Sequence, residues 1–244
     1  RMDLRGKKVL VTGGGRRVGR ELVKTFAAKG ARVVIHCNRS AEDARGLLAE
    51  IGGTDAGHEL FQCDLTDLAR LEQIAPQYLI GCSLLINNAS VFLRRKLTEE
   101  DLASRQMQMT VNYTAPVLLM QLFAQYGERP GAVINFLDQA ICRPDENSFS
   151  YGISKKALAD ATRTAALQLA PEIRVNGIAP GPVLPPPEMP HSRMEKTLRS
   201  VPLQRPVNLK DLCSGAVFLA ENESVTGTVL FIDCGQSLCQ NPRC

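Results

Sequence analysis

The sequence has no CxxC pair, no run of like charge and no apolar stretch long enough to cross a bilayer. Each absence removes a class of protein. The eight cysteines, Cys37, Cys63, Cys82, Cys142, Cys213, Cys234, Cys239 and Cys244, are scattered, which suits structural thiols in a reducing compartment. The last three are evenly spaced but lack a histidine partner, so no metal site is expected. A net charge of +4 over 244 residues, spread along the chain, gives no reason to expect nucleic acid or an anionic membrane as partner. The opening RMDLRGKK has no signal-peptide core and leads straight into a strand pattern, so a cytoplasmic protein is expected. No repeat and no linker-like composition interrupts the chain, so residues 1–244 read as one domain.

What is present is an alternation of short apolar runs and amphipathic stretches. KVLVT, residues 8–12, reads as a buried parallel strand. TGGGRRVGR follows it and opens a helix with Val18, Leu22, Val23 and Phe26 on one side. Strand, glycine-rich turn and helix is the setting in which unpaired backbone amides cradle a phosphate. Arg17 stands where a third glycine would be usual and adds a forked cationic donor. Residues 31–36 form the second strand, whose end reads the adenosine ribose in a dinucleotide fold. Here the chain offers His36, Cys37, Asn38, Arg39 and Ser40, with no acid before Glu42. Arginine and serine there suit a 2′-phosphate, so NADP(H) is favoured over NAD.

A helix is expected over 41–51, then a strand over 58–63 ending at Asp64. In DLTD, either Asp64 or Thr66 can cap the following helix, and Asp64 can equally reach the adenine. The strand at 83–86 ends in Asn87, Asn88, Ala89 and Ser90, polar residues at the carboxyl end where ligands bind in open parallel sheets. Phe92 follows, either as a core residue or as an aromatic clamp over a ligand. Residues 97–126 carry one or two helices, with Asn112 inside MTVNYTAPVLL. Buried there, its amide needs partners: its own backbone or a water. The fifth strand, 131–137, stops at Asp138.

Residues 149–170 read as one long helix. Ala157, Ala161 and Ala165 recur at four-residue spacing beside Leu158 and Leu169. Tyr151 and Lys155, also four apart, place a phenol and an ammonium on one face. The cation is expected to lower the tyrosine pKa toward working pH, tuning it for proton transfer at a carbonyl or imine. Taken alone, the pair reads better as a surface accident, and the rest of the chain has to decide. The sixth strand, from 173, ends at Pro180 and Gly181. A proline-rich stretch over about 183–202 reads as a substrate lid or a surface segment. A helix over 209–220 and a strand over 227–232 complete an α/β protein with a doubly wound sheet.

TGGGRRVG, NNAS, Asn112, YGISK, PG and GTVLFIDCGQSL together resemble the short-chain dehydrogenase/reductase family across nearly the whole chain. That resemblance implies a single Rossmann domain with a seven-stranded parallel sheet and helices on both faces. It implies Tyr151 as proton donor, Lys155 on the nicotinamide ribose and Asn112 holding a water behind the lysine. NADP(H) contacts are implied at Gly13, Arg16, Arg17, Val18, His36, Asn38, Arg39, Ser40, Asp64, Leu65, Asn88, Ala89, Ser90, Tyr151, Lys155, Pro180, Gly181 and Val183. A homotetramer or homodimer packed through the long helix is implied too.

The departures point to one branch. Asp138 replaces the usual serine, and Arg17 the usual glycine; with HCNRS and NNASVF these features resemble the pteridine reductases and dihydromonapterin reductases. That likeness implies Phe92 stacked on a pterin, Ser90 and Arg17 on its heteroatoms and the cofactor phosphate, and Asp138 orienting Tyr151 or relaying protons. The expected substrate is then a pterin or folate. A 3-oxoacyl or sugar carbonyl reductase is the second reading. A catalytically silent NADP-binding protein is the third; retention of both Tyr151 and Lys155 argues against it.

Overall fold

The computed structural model describes residues 1–184, 198–199 and 201–239. The expected lid over 183–202 therefore lies largely outside the described residues. Seven strands form one parallel sheet in the order β3-β2-β1-β4-β5-β6-β7. They are β1 (Lys8–Val11), β2 (Arg32–Cys37), β3 (Glu59–Gln62), β4 (Cys82–Asn87), β5 (Gly131–Phe136), β6 (Ile173–Pro180) and β7 (Val229–Ile232). The helices are α1 (Arg17–Ala28), α2 (Ala41–Glu50), α3 (Leu68–Leu79), α4 (Leu102–Met109), α5 (Ala115–Tyr126), α6 (Phe149–Leu169) and α7 (Leu209–Glu221).

Alternate residues of each strand feed two cores, because successive side chains leave opposite faces. Val9, Val11, Val33, Ile35, Leu84 and Ile86 pack under α1, α2 and α7. Leu10, Val34, Leu85 and Val133 pack under α3, α5 and α6. Strands buried on both faces explain why the sequence shows continuous apolar runs rather than alternation. Strand order reverses between β1 and β4, which opens the crevice at their carboxyl ends.

One local expectation is corrected and another is refined. The N-cap of α3 is Asp67, whose side chain accepts from Arg70 N at 3.0 Å. Asp64 instead closes a turn, accepting from Thr66 N and Thr66 Oγ1, each at 2.8 Å. The stretch 97–126 becomes helical only at Leu102, and a π turn (Thr110–Thr114) joins α4 to α5. No helix among the described residues is long and apolar enough to cross a membrane.

Candidate active site

The turn after β1 is built for close approach. Gly13 has φ +62°, and a Cβ on Gly19 would meet Gly13 O at 2.0 Å. Only a bare backbone lets α1 begin this near the turn. Asn88 clasps the turn to the end of β4, donating from Nδ2 to Thr12 O at 2.9 Å. Thr12 Oγ1 accepts in return from Asn88 N at 2.9 Å and Ala89 N at 3.0 Å. His36 braces the turn from beneath. Its Nδ1 accepts from Gly13 N at 3.1 Å, which leaves Nε2 as the donor to Cys63 O at 3.1 Å. Burial lowers the His36 pKa to about 4, so the ring is neutral. Arg17 has φ +52°, the left-handed conformation that glycine adopts freely. Its guanidinium donates to Leu184 O at 3.0 Å, just past β6.

At the end of β5, Asp138 brings its carboxyl to the start of α6. Oδ2 accepts from the Tyr151 hydroxyl at 2.8 Å, and Oδ1 accepts from Ala140 N at 2.8 Å. Burial raises the pKa of Asp138. Burial first, and then the neighbouring Asp138 carboxylate, raises that of Tyr151 well above the usual phenol. Lys155 is 2 % exposed and donates from Nζ to Phe136 O at 2.9 Å. Burial lowers its pKa to about 8. The expectation that Lys155 acidifies Tyr151 is thus corrected: its ammonium lies 5.9 Å from the ring centroid, while the carboxylate is in direct contact. The pair holds its proton tightly, which makes it a donor rather than a ready base.

Above this pair lies Phe92, 44 % exposed, with its ring edge-on to Tyr151 at 4.6 Å between centroids. The loop carrying it is gripped on both sides. Asn112, delivered by the π turn, accepts at Oδ1 from Val91 N at 2.8 Å and Ser90 Oγ at 3.1 Å. It donates from Nδ2 to Val91 O at 2.8 Å and Ser154 Oγ at 3.2 Å. With both donors and both acceptor positions of the amide engaged, none remains for a water. The side-chain amide of Asn112 is therefore an anchor of the Phe92 loop.

A family model described as short chain dehydrogenase matches residues 7–196. The chain belongs to the short-chain dehydrogenases. Pteridine reductase 1 of Leishmania tarentolae is 30% identical, with 94% of this chain and 96% of that protein covered. L-xylulose reductase of Bos taurus is 31% identical, covering 96% of this chain and 98% of that one. A crystal structure of FolM Alternative dihydrofolate reductase 1 from Brucella canis, complexed with NADP, superposes with a TM-score of 0.90 at 36% identity, covering 98% of each chain.

In this short-chain dehydrogenase, Gly13 lies in the turn after β1, Arg17 and Val18 open α1, Asn88, Ala89 and Ser90 follow β4, and Pro180 ends β6 with Gly181 and Val183 just beyond it. Gly181 is bare for a reason: a Cβ there would meet the Asp233 backbone at 2.7 Å. Asn38, Arg39 and Ser40 lie just past β2, with Asn38 and Arg39 exposed. Three of the expected contact residues have side chains engaged elsewhere. His36 is 2 % exposed and turned inward beneath the loop. Arg16 pairs with Asp43 on the surface, and Leu65 is buried in the core under α3. Glu100 and Gln108, which bind the elements around Phe92 and Tyr151, carry no motif and were not foreseen. Gly19 is the last glycine of TGGGRRVG.

Proposed function

We propose that this protein is an NADPH-dependent reductase acting on a C=N bond of a pteridine. The observation that carries the reading is the Asp138–Tyr151 hydrogen bond beneath an exposed Phe92. A flat heterocycle suits the space beside a phenyl face, and a proton-loaded phenol–carboxyl pair suits reduction of an imine. The names of the pteridine reductase and alternative dihydrofolate reductase relatives support the same direction.

The residues present fit NADP(H). The glycine-rich turn leaves amides of the α1 start open to phosphate, and Arg39 and Ser40 stand past β2, where an acid would repel a 2′-phosphate. Lys155, fixed by Phe136 O, would hold the ribose, and the Asn88–Ser90 turn would border the ring. The reduced nicotinamide, when bound, supplies the hydride. Tyr151 then delivers its phenolic proton to the substrate nitrogen, and Asp138, hydrogen-bonded to that hydroxyl, relays a replacement proton from solvent to the phenolate. Arg17 and Ser90 orient the pterin, and Phe92 covers its outer face.

The experiment follows loss of NADPH absorbance with dihydrobiopterin, dihydrofolate or L-xylulose. Pterin or folate turnover is expected; turnover of L-xylulose alone would overturn the reading. The sugar arm is warranted by the L-xylulose reductase relative. Phe92→Ala should raise the pterin KM about tenfold or more through lost stacking and burial, with NADPH affinity unchanged. Equal damage to both would count against the clamp.

The same reading includes a homodimer or homotetramer. Ala157, Ala161 and Ala165 face outward, lining with Tyr113, Val117 and Met120 a groove of about 690 Å³ between α5 and α6. Light scattering decides the subunit count.

A further inference from the structure

Glu100 has a side chain with no exposed surface, yet it belongs to none of the machinery above. It precedes α4 without capping it. The cap is Asp101, which accepts from Ser104 N at 2.7 Å. The two oxygens of Glu100 go elsewhere. Oε1 accepts from Gln108 Nε2 at 2.8 Å, and Oε2 accepts from Ser150 Oγ in a short hydrogen bond. Arg105 Nε lies 3.6 Å from Oε2, within ion-pair but beyond hydrogen-bond reach.

Those two partners lead to the two segments that carry Phe92 and Tyr151. Gln108, fully buried, accepts at Oε1 from Leu93 N at 2.9 Å, the amide next to Phe92. Ser150, 2 % exposed, is the residue next to Tyr151. A third tie, Phe149 N to Arg95 O at 3.0 Å, joins the same two segments directly. One buried carboxylate thus links the backbone under the aromatic wall to the first turn of the helix bearing the proton donor.

Resting on the pteridine reading, we propose that Glu100 is a positioning residue that fixes Phe92 relative to Tyr151, and so sets where a flat substrate stacked on Phe92 lies against the proton donor. Buried charge-assisted hydrogen bonds hold short, directed distances that solvated loops do not. Loss of Glu100 leaves Gln108 and Ser150 buried without their acceptor, and both segments relax. Glu100→Gln keeps the geometry, because its amide accepts from Gln108 and donates to Ser150; only the charge goes.

The test uses full-length protein saturated with NADPH. Backbone amide exchange is measured for residues 91–97 and 147–155 in Glu100→Ala, Gln108→Ala and Glu100→Gln. Glu100→Ala is expected to speed exchange about tenfold in both segments, Gln108→Ala in 91–97 alone, and Glu100→Gln in neither, the sheet staying as in wild type. With dihydrobiopterin, Glu100→Ala and Gln108→Ala should raise KM about tenfold while kcat stays within about threefold, and Glu100→Gln should restore KM. Unchanged exchange in both segments, or equal losses in 1/KM and kcat, overturns the proposal. Should Glu100→Ala fail to fold, the one-sided Gln108→Ala pattern still decides. A wild type inert toward dihydrobiopterin would end the pteridine reading, while the exchange comparison would still decide the brace.

Discussion

Tyr151 and Lys155 sit one helical turn apart, yet their environments push them in opposite directions. The phenol is shielded from water and touches a carboxylate, so its proton is held more firmly than usual. The ammonium is shielded without a carboxylate in contact, so its proton is held less firmly. Replacing Tyr151 with phenylalanine removes the donor but keeps the ring edge against Phe92. Turnover should fall by about 10²–10⁴-fold with NADPH affinity unchanged by titration. Lys155 gives a pH signature of its own. Its pKa falls from 10.5 to about 8, so the cation is lost as pH rises through about 8, and kcat/KM for pterin should decline there. Stability should move the other way. Between about 8 and 10.5 the unfolded chain binds more protons at this lysine than the folded one, so unfolding free energy from this group rises with pH, by about 3 kcal/mol at most. Lys155→Met should flatten that slope in denaturant melts across the window. A wild-type slope that Lys155→Met leaves in place would contradict the burial of the charge.

At the scale of elements, the strands and the long α6 helix were legible because their patterns are set by the two-sided burial of the sheet. The glycine-rich turn was legible because few other sequences leave an α-helix start bare. What escaped has physical reasons. The π turn at Thr110–Thr114 differs from an α-helix by a single backbone hydrogen-bond shift, which MTVNYTAPVLL does not display. The cap of α3 escaped because DLTD offers three capping side chains in four residues; Asp64 and Thr66 were the candidates, and only the bend of the chain chooses Asp67. Glu100 reads as an ordinary acid before a helix until the fold brings Ser150 to it. Arg17 was noticed for its charge, whereas its backbone is as informative. At φ +52° a side chain costs about 1 kcal/mol relative to glycine. Arg17→Gly should therefore be more stable than Arg17→Ala by about 1 kcal/mol in chemical denaturation, both lacking the guanidinium on Leu184 O. Equal stabilities would show that the turn opens without cost.

For the molecule as a whole, the crevice is assembled from the ends of β1, β2, β4, β5 and β6, which meet only where the strand order reverses. Each half of the sheet carries part of the proposed cofactor site. Arg39 and Ser40 follow β2 on one side; Asp138, Tyr151 and Lys155 follow β5 on the other. A dinucleotide spanning both halves would tie them together, and a ligand that binds only the folded chain stabilises it by mass action. At 100 times its Kd that gain is about 2.7 kcal/mol. For a domain of this size, such a gain shifts Tm by roughly 5–10 °C. NADPH should produce the shift and NADH, at the same concentration, only a fraction of it, because on the proposed assignment Arg39 and Ser40 would contact the added phosphate alone. Arg39→Ala should bring the two shifts together by weakening NADPH and sparing NADH. Equal shifts in the wild type would mean that the end of β2 reads the ribose hydroxyls and not a phosphate, and the assignment of Arg39 would fall with it.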